Sequence, residues 1–166
     1  MTFVGDVATG LVHVCAGEGP AQWMVGDTYT VKASAASTGG ALGLVEASIP
    51  PGSGPPPHRH TREDEALYLL AGSLEIRADQ DIVHATAGDF VFLPRGTAHS
   101  FRNMGVDAAR ALIIITPAGF EGFFADGGAP AQPAAPAPPP GPAELARVLA
   151  AAPRYGVELS APQPTP

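Results

Sequence analysis

The chain of 166 residues is long enough for one domain with a sizeable apolar core. Its net charge of −7 and its lack of a basic cluster argue against a nucleic-acid partner, and no apolar run approaches the length of a membrane span. Cys15 is the single cysteine, which excludes an intramolecular disulfide framework, and the first residues lack the basic and apolar regions of a signal peptide. We therefore expect a cytoplasmic protein.

Short alternating segments predict an all-β fold. Many short strands separated by glycine-containing turns are typical of an antiparallel sandwich or barrel. A short helix is expected after the last strand, with Thr116 as N-cap, Pro117 at its first position and Gly127 at its end. In chain order, the predicted strands cover residues 11–15, 22–34, 41–49, 65–72, 73–78, 81–86, 89–93, 98–103 and 109–116.

The composition changes after this predicted barrel, which we assign to residues 1–126. Residues 127–142 are rich in proline and alanine, and because proline lacks an amide donor they are expected to form an extended linker. Residues 143–166 are expected to form a short helix and a tail. Four apolar side chains recur there at helical spacing: Leu145, Val148, Leu149 and Ala152.

Two segments carry side chains suited to a metal ion. His58 and His60 are one residue apart, so a strand would point both side chains to one face, and Glu65 can return to the same interior after a bend. His99 opens the second segment, after a tight turn. Imidazoles and a carboxylate suit divalent first-row metals, although a charged surface loop with two histidines would look similar.

The two segments resemble the conserved motifs of the cupin superfamily. They read Gly52-x5-His58-x-His60-x4-Glu65-x6-Gly72 and Gly88-x5-Pro94-x-Gly96-x2-His99-x3-Asn103. The resemblance implies a small jelly-roll β-barrel, here with a short helical C-terminal extension. It also implies one divalent metal ion (Ni, Mn, Fe, Co, Cu or Zn) with two coordination positions left open, and its ligands would be His58, His60, Glu65 and His99.

The chain also resembles actinobacterial cupins described as quercetin dioxygenase-like, in residues 55–76, in residues 88–103 and in a tail of the type TPAGFEGFF…RYGVEL. That resemblance implies a metal-dependent dioxygenase that cleaves a flavonol, or a similar enolic or aromatic substrate, with O2. Glu65 would then be the catalytic proton acceptor. The alternatives are a non-oxidative metal-dependent isomerase, cyclase or lyase, and a small-molecule-binding cupin. The complete set of three histidines and one glutamate disfavours a metal-free cupin similar to sugar epimerases.

An apolar substrate pocket is expected beside the metal ligands, because alternation along the strands points neighbouring apolar side chains to the same face. Each of these residues would also fit an ordinary barrel core. The expected lining residues are Leu67, Leu69, Phe101, Trp23, Met24, Leu112 and Ile114.

The remaining notable side chains are given no chemical role. Exposed barrel edges and the family resemblance favour a homodimer, and Tyr68, which alternates outward, is expected at its interface. Cys15 is expected to be a small core residue, without an activating base. Two carboxylates are expected to be solvated rim charges and two histidines to lie outside the metal site: Glu63, Asp64, His13 and His84.

Overall fold

Two antiparallel β-sheets enclose one hydrophobic core in the computed structural model, which describes residues 10–160. The elements are β1 (Ala21–Met24), β2 (Asp27–Ala33), α1 (Ala35–Thr38), β3 (Gly43–Ile49), β4 (His58–His60), β5 (Asp64–Ala71), β6 (Ser73–Ala78), β7 (Asp81–Thr86), β8 (Phe90–Leu93), β9 (His99–Arg102), β10 (Ala109–Thr116), α2 (Gly122–Gly127), β11 (Ala129–Pro130), α3 (Pro142–Ala151) and β12 (Val157–Leu159). The seven-stranded sheet has the order β11-β1-β2-β3-β10-β5-β8, and the five-stranded sheet has the order β12-β4-β9-β6-β7.

Alternation along the strands explains how the sheets close over the core. β2 and β3 bury every second residue, and β10 does the same with Ala109, Ala111, Ile113 and Ile115. Burial of a leucine or isoleucine side chain stabilises a fold by roughly 1.5–3 kcal/mol, so these inward rows contribute substantially to folding. The predicted all-β class is confirmed, and the predicted bounds of 73–78, 81–86 and 109–116 match β6, β7 and β10.

The N-terminal predictions are wrong in two places. Residues 11–15 form no strand, and Cys15 is exposed instead of lying in the core, because this segment runs along the surface without a strand to pair with. The predicted strand 22–34 is two strands, since Val25 and Gly26 both have positive φ and turn the chain into the β1–β2 hairpin.

The helix after the last strand begins later than predicted. Thr116 is not its N-cap but the final residue of β10, where it pairs with Asp64 of β5. The continued pairing keeps the chain extended, and α2 starts only at Gly122, with Glu121 at the N-cap position.

The C-terminal region packs on the barrel at both ends of the predicted linker. β11 pairs with β1, and β12 pairs with β4 in the register Val157↔His60 and Leu159↔His58. Val148 of α3 is buried in the same core cluster as the barrel residues. The boundary at residue 126 stays a prediction, but the described contacts join the two regions. Residues 1–9 of the predicted barrel and 161–166 of the predicted tail lie outside the described part of the chain.

None of the helices within residues 10–160 combines the length and apolar character that crossing a bilayer requires.

Candidate metal centre

Three strands bring the four predicted metal ligands together. β4 is three residues long and buries its first and third side chains, His58 and His60. β9 lies beside β4 and places His99 directly opposite His58, while β5 supplies Glu65 from the other sheet. All four side chains are buried, and their potential ligand atoms lie within 4.8 Å of one another.

Backbone carbonyl groups fix the orientation of two of the imidazole rings. Nδ1 of His58 lies 2.9 Å from the carbonyl oxygen of Pro56, and Nδ1 of His99 lies 3.0 Å from that of Thr97. A carbonyl oxygen only accepts hydrogen bonds, so each Nδ1 carries the proton. The lone pair of each neutral ring is then on Nε2, which is the atom available to a metal ion.

The third ring is held by a carboxylate that we expected at the solvated rim. Glu63 is buried instead, and its Oε1 lies 3.1 Å from Nδ1 of His60. The chain turns between these two residues, so that the glutamate side chain folds back under the ring. Asp64, the other expected rim charge, does face outward and pairs with Arg95 at 2.9 Å. Phe120 packs edge-on against His60, with ring centroids 4.3 Å apart.

The inward-facing nitrogen atoms test whether these residues fit a metal ion. Nε2 of His60 and Nε2 of His99 are buried and have no hydrogen-bond partner among the described residues. Glu65 approaches both atoms, at 3.1 Å from His60 and 3.8 Å from His99, but without the alignment of a hydrogen bond. Buried polar atoms without a partner are costly, and a divalent cation would satisfy both nitrogen atoms and the carboxylate. The residues therefore fit the ion that the motifs imply.

The pKa values of the cluster follow from its burial and its charges. Burial lowers the pKa of His58, and the neighbouring His99 and His60 lower it further, to about 3. Burial would also lower the pKa of His60, but the carboxylates of Glu63 and Glu65 raise it to about 9. Burial would raise the pKa of Glu65, but the histidines, His60 above all, bring it down to about 2. A proton on His60 thus competes with a metal ion for the same site.

A narrow apolar cavity of about 50 Å³ lies next to the cluster and is lined by His58 and Glu65. Met24 and Phe101, two of the predicted pocket residues, also line it. Leu67 and Leu69 are fully buried in the core but do not border the cavity.

The other three predicted pocket residues lie elsewhere. On β10, Leu112 and Ile114 sit on the face opposite the core, and the cavity is bordered by Ile113 between them. Trp23 is half-buried in β1, and the cavity is bordered by its neighbour Met24. Both corrections are shifts of one residue, which reverses the face in a strand.

Much of the cavity wall comes from residues that the sequence analysis did not assign to a site. Tyr29 of β2 is one of them. Six others come from the segment around α2 and from the C-terminal region, where apolar side chains in the sequence were the only available signal. They are Phe120, Phe123, Phe124, Val148, Val157 and Leu159. The two remaining histidines, His13 and His84, are exposed and outside the cluster.

Comparisons with known proteins define the class. The family model described as Cupin domain (Cupin_2) matches residues 45–115. An RmlC-like cupin from Shewanella frigidimarina superposes with a TM-score of 0.55 at 21% identity, covering 65% of this chain and 93% of that chain. The chain is therefore similar to cupins over residues 45–115, and the fold class expected from its motifs is confirmed.

Two curated proteins with assigned names are similar in sequence to about half of this chain. Tetracenomycin polyketide synthase protein TcmJ from Streptomyces glaucescens is 34% identical over 84 residues, covering 51% of this chain and 55% of the relative. Quercetin 2,3-dioxygenase from Bacillus subtilis is 34% identical over 86 residues, covering 52% of this chain and 26% of the relative. The chain thus spans about half the length of the first relative and about a quarter of the second.

Proposed function

We propose that the protein is a metal-dependent enzyme that binds a flavonol, or a similar enolic or aromatic molecule, and cleaves it with dioxygen. The observation that carries this proposal is the buried cluster of His58, His60, Glu65 and His99 beside an apolar cavity. The similarity to quercetin 2,3-dioxygenase supports the oxidative chemistry.

His58, His60, Glu65 and His99 would hold the metal ion, and their donor atoms are compatible with Ni, Mn, Fe, Co, Cu or Zn. When bound, a divalent ion lowers the pKa of a hydroxyl group that it coordinates, which favours the anionic form of the substrate.

Glu65 would accept the substrate proton. Its pKa is well below neutrality, so it is ionised, and it is the carboxylate that borders the cavity among the described residues. The apolar side chains around it exclude water, which protects a reactive anion from competing proton transfer.

The size of the cavity sets a condition on substrate entry. A volume of about 50 Å³ is far below the roughly 300–1,000 Å³ of ordinary ligand pockets, so a flavonol enters only if part of the wall moves. The C-terminal region contributes Val148, Val157 and Leu159 to this wall. Displacement of this region would be one movement that admits the substrate.

A second candidate is non-oxidative chemistry, such as that of a metal-dependent isomerase, cyclase or lyase acting on a similar molecule. The similarity to the polyketide synthase protein TcmJ favours it. In that case the same metal site acts only as a Lewis acid, and no oxygen is consumed.

Oxygen uptake separates the two candidates. The purified protein is loaded separately with nickel, manganese, iron and cobalt, and oxygen consumption is followed with quercetin as substrate. Uptake that matches quercetin loss and falls by several orders of magnitude in Glu65→Ala supports the dioxygenase. Asp64→Ala is the matched control, because this neighbouring carboxylate faces Arg95 outside the cluster. No uptake with any metal, despite occupied sites, refutes the dioxygenase and favours the non-oxidative reaction.

The oligomeric state and the cellular location stay predictions, for a homodimer and for the cytoplasm. An exposed apolar surface supports the homodimer. β8 is an open edge of the seven-stranded sheet, and its Phe90 and Phe92 are more than half exposed, next to Tyr68 of β5. A second copy that covers this edge would bury all three side chains.

A further inference from the structure

A hydrogen-bonded chain of three side chains lies beside the cavity and apart from the metal ligands. Asp27 at the start of β2 is fully buried. Its Oδ2 accepts a hydrogen bond of 3.0 Å from the hydroxyl of Tyr29, and its Oδ1 accepts one of 2.5 Å from the hydroxyl of Ser53. Both oxygen atoms of the carboxylate are therefore engaged.

The position of Tyr29 links this chain to the cavity. Tyr29 is two residues after Asp27 on β2, so both side chains point into the barrel. Its ring stacks on Phe124 with centroids 4.3 Å apart, which fixes its orientation, and Tyr29 lines the cavity together with Glu65. Burial and the neighbouring Asp27 raise the pKa of Tyr29, and the charge of Glu65 adds a smaller contribution in the same direction.

Few polar side chains border this cavity. Among the described lining residues they are Tyr29, His58 and Glu65, and the last two belong to the metal cluster. Tyr29 is thus the one side-chain hydroxyl that can recognise a ligand away from the metal. The surrounding wall is apolar and offers shape but no hydrogen bonds.

The protonation states of Asp27 and Tyr29 determine whether the Tyr29 hydroxyl can donate or accept a hydrogen bond with a ligand. Burial raises the pKa of Asp27 to about 6, with the hydrogen bonds from Ser53 and Tyr29 opposing the rise, so the carboxylate is still mostly ionised at neutral pH. Burial also raises the pKa of Tyr29, so the phenol is neutral. Its single proton is committed to Asp27, and the lone pairs of its oxygen are what a ligand can meet.

We propose that Tyr29 is a specificity-determining residue that accepts a hydrogen bond from a hydroxyl group of the substrate. The substrate class is then a polyhydroxylated phenol, with at least one free hydroxyl in addition to the oxygen atoms that approach the metal ligands. This inference rests on the proposed function, since it assumes that the ligand lies in this cavity. Asp27 and Ser53 are positioning residues that keep Tyr29 an acceptor.

A purely structural role of Tyr29 would give a different experimental result. In that case the hydrogen bonds that join Tyr29, Asp27 and Ser53 only connect β2 to the loop before β4. Their removal would lower stability without changing which ligand is preferred. The two roles are separated by measuring a preference between two ligands, because general damage to the site affects both ligands equally.

Quercetin and 3-hydroxyflavone form a suitable pair, since both carry the 3-hydroxy-4-ketone group and only quercetin has further hydroxyl groups. Binding is measured by absorbance under anaerobic conditions to the full chain loaded with zinc, which is redox-inactive. The preference for quercetin is the ratio of its affinity to that of 3-hydroxyflavone. We expect this ratio to be about tenfold smaller in Tyr29→Phe than in the unchanged protein, because the variant loses one hydrogen bond whose acceptor is polarised by the charge of Asp27. Tyr68→Phe, which removes an outward-facing hydroxyl, should leave the preference unchanged.

The outcomes are distinguishable. An equal preference in the unchanged protein and in Tyr29→Phe overturns the specificity role but leaves the proposed function standing. Failure of both flavonols to bind a chain that holds one zinc ion overturns the proposed function and this inference together. If Tyr29→Phe does not fold, as judged by near-UV circular dichroism, Asp27→Asn decides. It keeps the hydroxyl but removes the charge behind it, and an unchanged preference there overturns the inference.

Discussion

Replacement of Asp27 by asparagine should stabilise the metal-free protein at neutral pH. The carboxyl group of Asp27 is fully buried, and burial raises its pKa from 3.8 to about 6. The fold therefore favours the neutral form, and holding the anion above pH 6 destabilises it. A shift of about two pKa units corresponds to about 3 kcal/mol at 1.36 kcal/mol per unit.

The sign and the pH range follow from proton linkage. Well below pH 3.8 the carboxyl is protonated in both the folded and the unfolded chain, and its titration does not affect stability. Between about pH 4 and 6 the unfolded chain loses the proton first, so stability falls as pH rises and stays reduced above pH 6. Asparagine does not titrate and has nearly the same shape as aspartate, so the substitution removes the charge without leaving a cavity.

Urea unfolding in the presence of EDTA measures the effect, with the fluorescence of the single tryptophan, Trp23, as the signal. The free energy of unfolding of Asp27→Asn relative to the unchanged protein should rise by about 2 kcal/mol between pH 4 and pH 7, because the unfolded carboxyl is already partly ionised at pH 4. Asp81→Asn, at an exposed position in β7, is the control and should show no such rise. A difference that does not change with pH would show that the buried carboxyl is not strained by its charge.

Three further predictions concern the metal centre and the surface. Each of His58→Ala, His60→Ala and His99→Ala should lose bound metal, measured by elemental analysis, and unchanged metal content refutes the ligand assignment. Glu63→Gln should bind zinc about 10- to 100-fold more weakly in a chelator competition, because the carboxylate orients His60, and equal affinity shows that it does not. Phe92→Glu should convert a dimer to a monomer by light scattering, and a monomeric unchanged protein contradicts the homodimer.

The strands that could be predicted from sequence are those whose pattern alternates clearly. In β6 the apolar Leu74 and Ile76 alternate with polar residues, and the predicted and observed bounds agree. The four candidate ligands could be proposed because their spacing follows fixed motifs. The alternation of β4 puts His58 and His60 on one face, and the pairing of β9 with β4 adds His99.

The face of β10 could not be predicted, for a physical reason. Residues 112–115 are all apolar, so the period of two carries no information about which side chains point inward. The register with β3 and β5 decides it, and that register depends on residues far away in the sequence. Local pattern likewise could not show that Glu63 turns under His60, because its acidic neighbours are equally good candidates.

The packing of the C-terminal region also could not be predicted from local sequence pattern. Proline content correctly indicates that most of residues 131–141 form no regular structure, but it does not show where the chain goes next. β12 is only three residues long, too short to be recognised from sequence, yet it pairs with β4 and places Val157 and Leu159 against the cavity. Its position is set by the open edge of β4, which is a tertiary property.

Burial of the ionised Asp27 destabilises the fold, and the proposed role of Tyr29 gives a reason why a carboxylate is present there. An asparagine would have nearly the same shape without about 3 kcal/mol of unfavourable titration, but it has one acceptor atom where Asp27 has two, so one of the two hydrogen bonds would have to reverse its direction. What it could not do is act as an acceptor alone, because its amide can turn an N–H towards Tyr29 and release the proton of the phenol. A carboxylate has no such alternative, so Tyr29 must present its lone pairs. The unfavourable charge of Asp27 is thus explained if the cavity has to recognise a hydroxyl group. It is not explained if the hydrogen bonds among Tyr29, Asp27 and Ser53 only hold β2 in place.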